Sequence, residues 1–495
     1  MFPGSLLLVT NRAPVSFRRD QERLRIDRGA GGVVTALGHL SRVAPVTWIA
    51  AAVGRDDQTV AAAQRERGGT VGSGRLTLRL LHIDEALQSD FYGAFANRVL
   101  WFVQHRLWSR RIGPEDAEGI RALAARYVQA SGAFADAVVA ETLRPPREPA
   151  VMAHDYQLYA LPALLRARLS GLLISHFVHI PWPELEVWCE ALPRDVCGAL
   201  LSGVLGADAV GFQDEASRLN FAGCVAELIP DAIVSADRIV RPEGVTLLRV
   251  RPASVDATTL QPSARRLREL RSDPRVSIVR VDRVDPIKNV PFGFDAYRLL
   301  LERRPDLVGR VRFVARLEPT RTTLPEYRRE WQQTLRVAAA VNARFGEGTI
   351  DIVQRTDRGG ALAELASADV VLVNSLADGM NLVAKESAVL NPRGVLVLSR
   401  ATGAFNELGS AALGIDPSSL DDTAAALERA IEMGETERRV RARTLRDAVL
   451  RWTSRDWSSA LLEDLAEAAT ERDRRAHAAV RDRQDGGPAR IGEAS

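Results

Sequence analysis

Short apolar runs alternate with amphipathic stretches over most of this chain. Residues 2–10, 151–153, 172–179 and 209–212 are strand-length and apolar, the pattern of strands buried on both faces. Helical periodicity fills the intervals, as in residues 32–42, behind a glycine-rich turn, and residues 156–168. The pattern restarts at residues 276–281 and continues through 311–315, 350–353, 370–373 and 395–398. Strands alternating with helices predict parallel, doubly wound sheets. Two such series predict an α/β protein of two Rossmann-like domains facing a cleft, where ligands of such sheets gather. In this reading residues 1–250 form the first domain and 251–450 the second, joined near Arg251-Pro-Ala-Ser-Val-Asp256. Residues 438–450 are helical, helices over 451–480 return to the first domain, and 481–495 form a flexible polar tail.

Composition narrows the function classes. At 495 residues and 46% hydrophobic, the chain has material for two large cores. Its apolar runs are far too short to span a membrane, and the first lacks the charged residues that precede a signal peptide's apolar run. A net charge of +3, with arginine mixed among acids, carries no nucleic-acid signature. Cys189, Cys197 and Cys224 have no zinc-type spacing, so the expectation is free buried thiols in a reducing, cytoplasmic setting. The apolar helical faces leave room for a homo-oligomer.

Of 66 basic residues only Lys288 and Lys385 are lysine. Where arginine has replaced lysine so widely, the survivors mark positions that need a compact ammonium. Both lie in motif-like stretches, Arg283-Val-Asp-Pro-Ile-Lys288-Asn289 and Asp378-Gly-Met-Asn-Leu-Val-Ala-Lys385-Glu386. The second follows a predicted strand and opens a helix, whose free N–H groups suit a diphosphate. Asp378 and Glu386 can bracket a sugar nucleotide there; the bland alternative is a helix cap and a surface glutamate. Arg283 and Lys288 follow another strand and can neutralise a diphosphate leaving group, unless they only pair with Asp282 and Asp285 on the surface. Gly29-Ala-Gly31-Gly32 behind the first strand is a weak signal on its own. His154-Asp155-Tyr156 and His179-Ile-Pro sit at strand ends and suit sugar hydroxyls, or are structural histidines. No Asp-x-Asp occurs, so no metal-held donor and no cofactor is expected.

Together with Asn11-Arg12, Phe91-Tyr92, Trp101 and Pro319-Thr-Arg321, these motifs resemble the trehalose-6-phosphate synthase family, retaining glycosyltransferases of GT-B fold, from about Leu6 to Trp457. The resemblance implies roles by position. Arg12, Tyr92, Trp101 and Arg321 would hold the phosphate of glucose 6-phosphate, with Asp155 and Trp48 facing the acceptor sugar. Gly31, Gly32, His179, Asp378 and the backbone at Asn381, Leu382 and Val383 would hold the glucose and diphosphate of UDP-glucose. Arg283 and Lys288 would neutralise the leaving UDP, and Glu386 would bind its ribose. Reaction on one face of the sugar needs no enzymic nucleophile, and none stands out. Asn289, Pro286, Gln157 and Ser254 depart from the family pattern. The first three also resemble pseudo-glycosyltransferases that join cyclitols through nitrogen. That branch lacks the Met-Asn-Leu-Val-Ala-Lys stretch intact here, which favours a sugar nucleotide donor. Another phosphorylated acceptor, such as glycerol 3-phosphate or a cyclitol phosphate, and a non-catalytic sugar-phosphate sensor are the alternatives.

Overall fold

The computed structural model describes residues 4–20, 23–28, 37–67, 70–108, 116–144, 149–354 and 357–485. Each series of apolar runs forms its own sheet. The first has ten strands, in the order Ile233–Val234, Arg238–Arg241, Gly244–Val250, Ala209–Phe212, Ile174–Phe177, Ala150–His154, Leu6–Arg12, Val46–Ala51, Leu76–Leu81, Val71–Ser73. Neighbours from Gly244–Val250 to Leu76–Leu81 pair in parallel, and only the hairpin edges are antiparallel. The second sheet has six strands, all parallel: Ile350–Val353, Val311–Pro319, Val276–Val284, Val370–Val373, Val395–Ser399, Leu413–Ile415.

Strand order reverses beside Leu6–Arg12 in one sheet and beside Val276–Val284 in the other. At such points the connections leave in opposite directions and open a crevice past the carboxyl ends of the strands. Arg12 and His154-Asp155 stand at the first crevice, Arg283 to Lys288 and Asn374 to Asp378 at the second.

The crossover at 251–256 is extended and held from several sides. Trp452 and Trp457 donate their indole N–H groups to Pro252 O at 2.7 Å and Arg251 O at 3.0 Å. Lys385 Nζ donates to Ala253 O at 2.8 Å. The last helix, Ser454–Asp485, packs on the first sheet, with Trp457 fully buried among Leu6, Leu8, Trp48 and Phe177. Asp464 on that helix takes Arg251 at 2.6 Å.

Several elements differ from the sequence pattern. Residues 156–168 split into a 3-10 turn, Tyr156–Leu158, and a helix, Leu161–Arg168, with Pro162 in its first turn where no N–H is needed. The final helix continues to Asp485, past the predicted start of the tail. A π-helical segment, Ser89–Leu100, runs into Trp101–Gln104, and a 26-residue helix, Ala117–Thr142, follows; neither was predicted. The hairpin Val15–Asp20 with Arg23–Arg28 was also missed; Val15, Phe17, Leu24 and Ile26 alternate on one face, but each strand carries only two apolar residues among polar and charged ones. Of the predicted helix at 32–42, residues 32–36 lie outside the described residues, and Leu40–Val43 is helical. The three cysteines are free; Cys197 and Cys224 are buried, and Cys189 is partly exposed.

Candidate active site

The Asp378 loop begins where Val370–Val373 ends. Asn381 turns the chain with φ 74° and caps the nine-residue helix Leu382–Leu390, its side chain accepting from Ala384 N at 3.1 Å. The N–H groups of Leu382 and Val383 then stand in the first turn, without intrahelical acceptors. Asp378 accepts from Lys288 Nζ and from Asn381 Nδ2 at 3.0 Å. Burial pushes the Asp378 carboxyl up, but the Lys288 ammonium outweighs it and holds the group below its ordinary value.

Lys288 reaches this point from the loop after Val276–Val284. Asp285 caps a 3-10 turn, Pro286–Lys288, with Pro286 at its start, and Asn289 ends it in the left-handed region at φ 57°. Asn289 Nδ2 donates to Pro417 O at 2.9 Å, and Asn374 Nδ2 donates to Asn289 O at 3.0 Å. Asparagine tolerates this backbone almost as glycine does, so the departure at Asn289 is a local fit. The surface pairing of Arg283 and Lys288 with Asp282 and Asp285 is not found. Asp282 takes Arg280 at 2.8 Å, and Asp285 takes Trp101 and Arg321. Arg283 is exposed, and its side chain makes no hydrogen bond or ion pair among the described residues. Its charge bears on Asp155 and Tyr156 across the cleft.

A second cationic centre lies opposite. Arg321, at φ 49°, stacks 4.5 Å over the Trp101 ring. It donates to Asp285 at 3.3 Å, to Tyr156 hydroxyl at 3.1 Å and to Tyr327 hydroxyl. Trp101 spends its indole N–H on Asp285 at 3.2 Å, so it positions Arg321 by its face. Arg12 stands 5.8 Å from the Tyr92 ring. Burial pushes the Tyr92 phenol up, yet the charges of Arg321 and Arg12 prevail and hold it below its ordinary value. The four residues expected around the phosphate therefore lie together, three with polar groups and Trp101 as the platform under Arg321.

Between the centres lie the histidine strand ends. His154 Nδ1 meets His179 Nε2 at 3.1 Å, and Gln213 Nε2 lies 3.4 Å from His179 Nδ1. Burial depresses both rings and His176; His176 and His179 fall to about 3, so all three are neutral near pH 7. Asp155 has φ 75° and an Oδ1 that is buried without a partner. Burial raises its pKa to about 6, against the pull of backbone N–H groups and of the Arg321 and Arg283 charges. The two halves touch here: a Cβ on Gly379 would fall 2.1 Å from His179 O.

Other expected residues sit elsewhere. Trp48 is 1% exposed in the core, and its indole N–H is spent on Thr10 at 2.7 Å, so it has no face for an acceptor sugar. That corrects the expectation for Trp48; mid-strand, it points into the helix layer. Gly31 and Gly32 lie outside the described residues. Glu386 is one turn inside the helix and takes Arg358 at 2.9 Å. Lys385 is wholly buried between Ala253 O and Glu407, which takes it at 2.6 Å, and does not line the cleft. Tyr156, Tyr327, Asp285 and Gln213 were not assigned from the sequence. Tyr156 and Asp285 lay inside quoted motifs, whereas Tyr327 and Gln213 carried no local signal.

Similarity to known proteins bears on the cleft just described. The profile of Glycosyltransferase family 20 matches residues 4–467. The chain belongs to this family. A trehalose-6-phosphate synthase of Mycobacterium sp. (strain KMS) is 33% identical, over 94% of this chain and 95% of that protein. Validamine 7-phosphate valienyltransferase of Streptomyces hygroscopicus subsp. jinggangensis is 29% identical over 99% of each. A solved E. coli structure bound with UDP-2-fluoro glucose has a TM-score of 0.80 at 27% identity, covering 93% of this chain and 98% of that one. The fold of this family 20 member is the expected GT-B arrangement of Rossmann-like domains. No helix among the described residues is long and apolar enough to cross a membrane, and no group of three or more potential metal ligands occurs among them.

Proposed function

We propose that this chain transfers glucose with retention from a nucleotide sugar, UDP-glucose, to glucose 6-phosphate, giving trehalose 6-phosphate and UDP. The reading rests on one observation: two cationic centres face each other across one cleft. Lys288 stands with Asp378 at the helix start, and Arg321 stands on Trp101 with Arg12 and Tyr92 nearby. The first suits a diphosphate and the second a phosphomonoester. Arg283 and Lys288 take up charge as the diphosphate departs, each bond contributing roughly 1.5–3 kcal/mol. The Leu382 and Val383 N–H groups add the helix-terminal field. Glu386, beside Arg358, lies along the same helix for a ribose. The unpartnered Asp155 oxygen accepts an acceptor-sugar hydroxyl. Asp378 is committed to Lys288 and Asn381, so it orients the ammonium and is no nucleophile. The departing phosphate then takes the proton of the incoming hydroxyl on the same face of the sugar. No cofactor enters this scheme.

A second reading follows from the Streptomyces relative, whose name specifies validamine 7-phosphate. The Arg321 centre recognises a phosphate rather than the ring that carries it, so a cyclitol phosphate fits the same anchor. Purified protein with UDP-glucose and glucose 6-phosphate, followed by mass spectrometry, separates the two. A phosphorylated disaccharide that trehalose-specific hydrolysis consumes after dephosphorylation supports the first. UDP release only with a cyclitol phosphate or glycerol 3-phosphate keeps the donor and replaces the acceptor. Binding of sugar phosphate without nucleotide release from any donor leaves a sensor.

A further inference from the structure

A cavity of about 310 Å³ opens at the other end of the first sheet, between the sheet and the helix Ser454–Asp485. Asp208 and Gly244 to Leu247 border it at the amino ends of their strands, whereas the cleft lies past the carboxyl ends. Four arginines line it: Arg166, Arg241, Arg472 and Arg475. Arg166 is fully engaged, with Asp208 at 2.7 Å and the carbonyls of Ser170, Leu172 and Gly206 at 2.6, 2.8 and 3.3 Å. The other three are not. Arg241 Nε, Arg472 Nη1 and Arg475 Nη1 are buried and donate to nothing among the described residues.

The acids nearby do not fill this need. Asp208 is taken by Arg166 and by Ile174 N at 2.8 Å, and stands 3.9 Å from Arg472 Nη1. Glu471 faces Arg238 and Arg474 at 3.6 Å each. Glu243 lies 3.6 Å from Arg241 Nη1 with its side chain 68% exposed. Buried guanidinium N–H groups without acceptors are costly, and arginines from a sheet strand and a helix, lining one cavity, match the spread oxygens of a phosphate.

We propose that this cavity binds a phosphate group, free or carried on a small sugar, between Arg241 of the sheet and Arg472 and Arg475 of the last helix. Occupancy bridges these arginines and fastens that helix to the sheet. The same helix sets Trp457 6.0 Å from His179, so the bound anion steadies one wall of the cleft from a distance.

The test is calorimetric titration of the full chain with inorganic phosphate in an Arg321→Ala background, which removes the phosphate anchor in the cleft. One site per chain should remain. Arg475→Gln should weaken it by about tenfold or more, the loss of one charge-assisted bond. Arg241→Gln should do the same; because Arg241 also holds Leu205 O at 2.6 Å, Arg475→Gln serves if that variant fails to fold. Glucose 6-phosphate in place of phosphate distinguishes the sources: equal affinity means the free anion, tighter binding the phosphorylated sugar. No site in the Arg321→Ala protein, affinity unchanged in Arg475→Gln, or binding that chloride reproduces would each overturn the proposal.

Discussion

Lys288 and Lys385 are the chain's two lysines, and they differ in what they do. Lys385 is a buried tie whose compact head fits between a carbonyl and Glu407, where a planar guanidinium would not. Lys288 faces the cleft. Lys288→Ala should lower kcat by roughly 10²–10³ if it steadies the leaving diphosphate. It should also lower Tm, because Asp378 loses the ammonium that offsets its burial. Full activity in that variant would remove Lys288 from the mechanism. Asn289→Gly should keep turnover and lose about 1 kcal/mol, the side-chain hydrogen bond to Pro417 O. Asn289→Leu, forced to φ 57°, should lose about 1–2 kcal/mol by denaturant titration. Asp155 supplies a pH test. Its folded-state pKa of about 6 exceeds the unfolded value near 3.8, so the folded form holds its proton more tightly in that interval. Stability from this group therefore falls as pH rises from about 4 through 6. Asp155→Asn should raise Tm more at pH 8 than at pH 4 while abolishing turnover; an equal shift at both would mean an ordinary carboxyl. At this scale the sequence was informative about Arg12, Tyr92, Arg321, Lys288 and Asp378, which the fold gathers from distant segments. It misled at Trp48, where a motif position does not reveal which side of the sheet a side chain takes.

The elements bring these residues together because parallel strands deliver their loops to one end. Buried strands were legible, since runs such as Val370–Val373 are apolar throughout. The segment Ser89–Leu100 was not, because a π-helix departs from the 3.6-residue period by which helices are read. It carries Tyr92 and leads into Trp101, so half of the second cationic centre hung on an element invisible to periodicity. Neighbouring strand ends also stack His154 on His179, while His176 packs against Tyr159. The depressed pKa values of the three histidines mean the unfolded chain takes up protons that the folded chain refuses. The stability they support is complete above about pH 6.5 and drains as pH falls toward 3. Tm should fall between pH 7 and 5, and His176→Phe should flatten that slope; an unchanged slope would place the acid sensitivity elsewhere.

Across the whole molecule the two sheets meet in a few tight places. Gly379 lies against His179, and Trp101 reaches Asp285. Gly379→Ala would drive a methyl into the His179 carbonyl and hold the halves apart. Small-angle scattering should register a larger radius of gyration, and kcat/KM should drop by at least about tenfold if the approach excludes water. Unchanged dimensions and activity would show that the contact is dispensable. The two-sheet architecture could be read from the restart of the strand pattern at residue 276. The manner of fastening could not, because it depends on single residues far apart in sequence, such as Gln213 and Ala253, whose side chain and backbone meet at 2.8 Å.

Trp457 is 0% exposed in a core that begins with Leu6 and Leu8. A ribosome delivers those leucines first and the tryptophan only after every strand of the second sheet has emerged. Domains that are continuous in sequence can fold in the order of their synthesis. Here the first core waits with an open flank for the end of the chain, and the later-made half can be complete before the earlier one is sealed. Any slowing of translation late in the message would prolong that exposure, so chaperone dependence during synthesis should track the delay in delivering residue 457 rather than the size of either half.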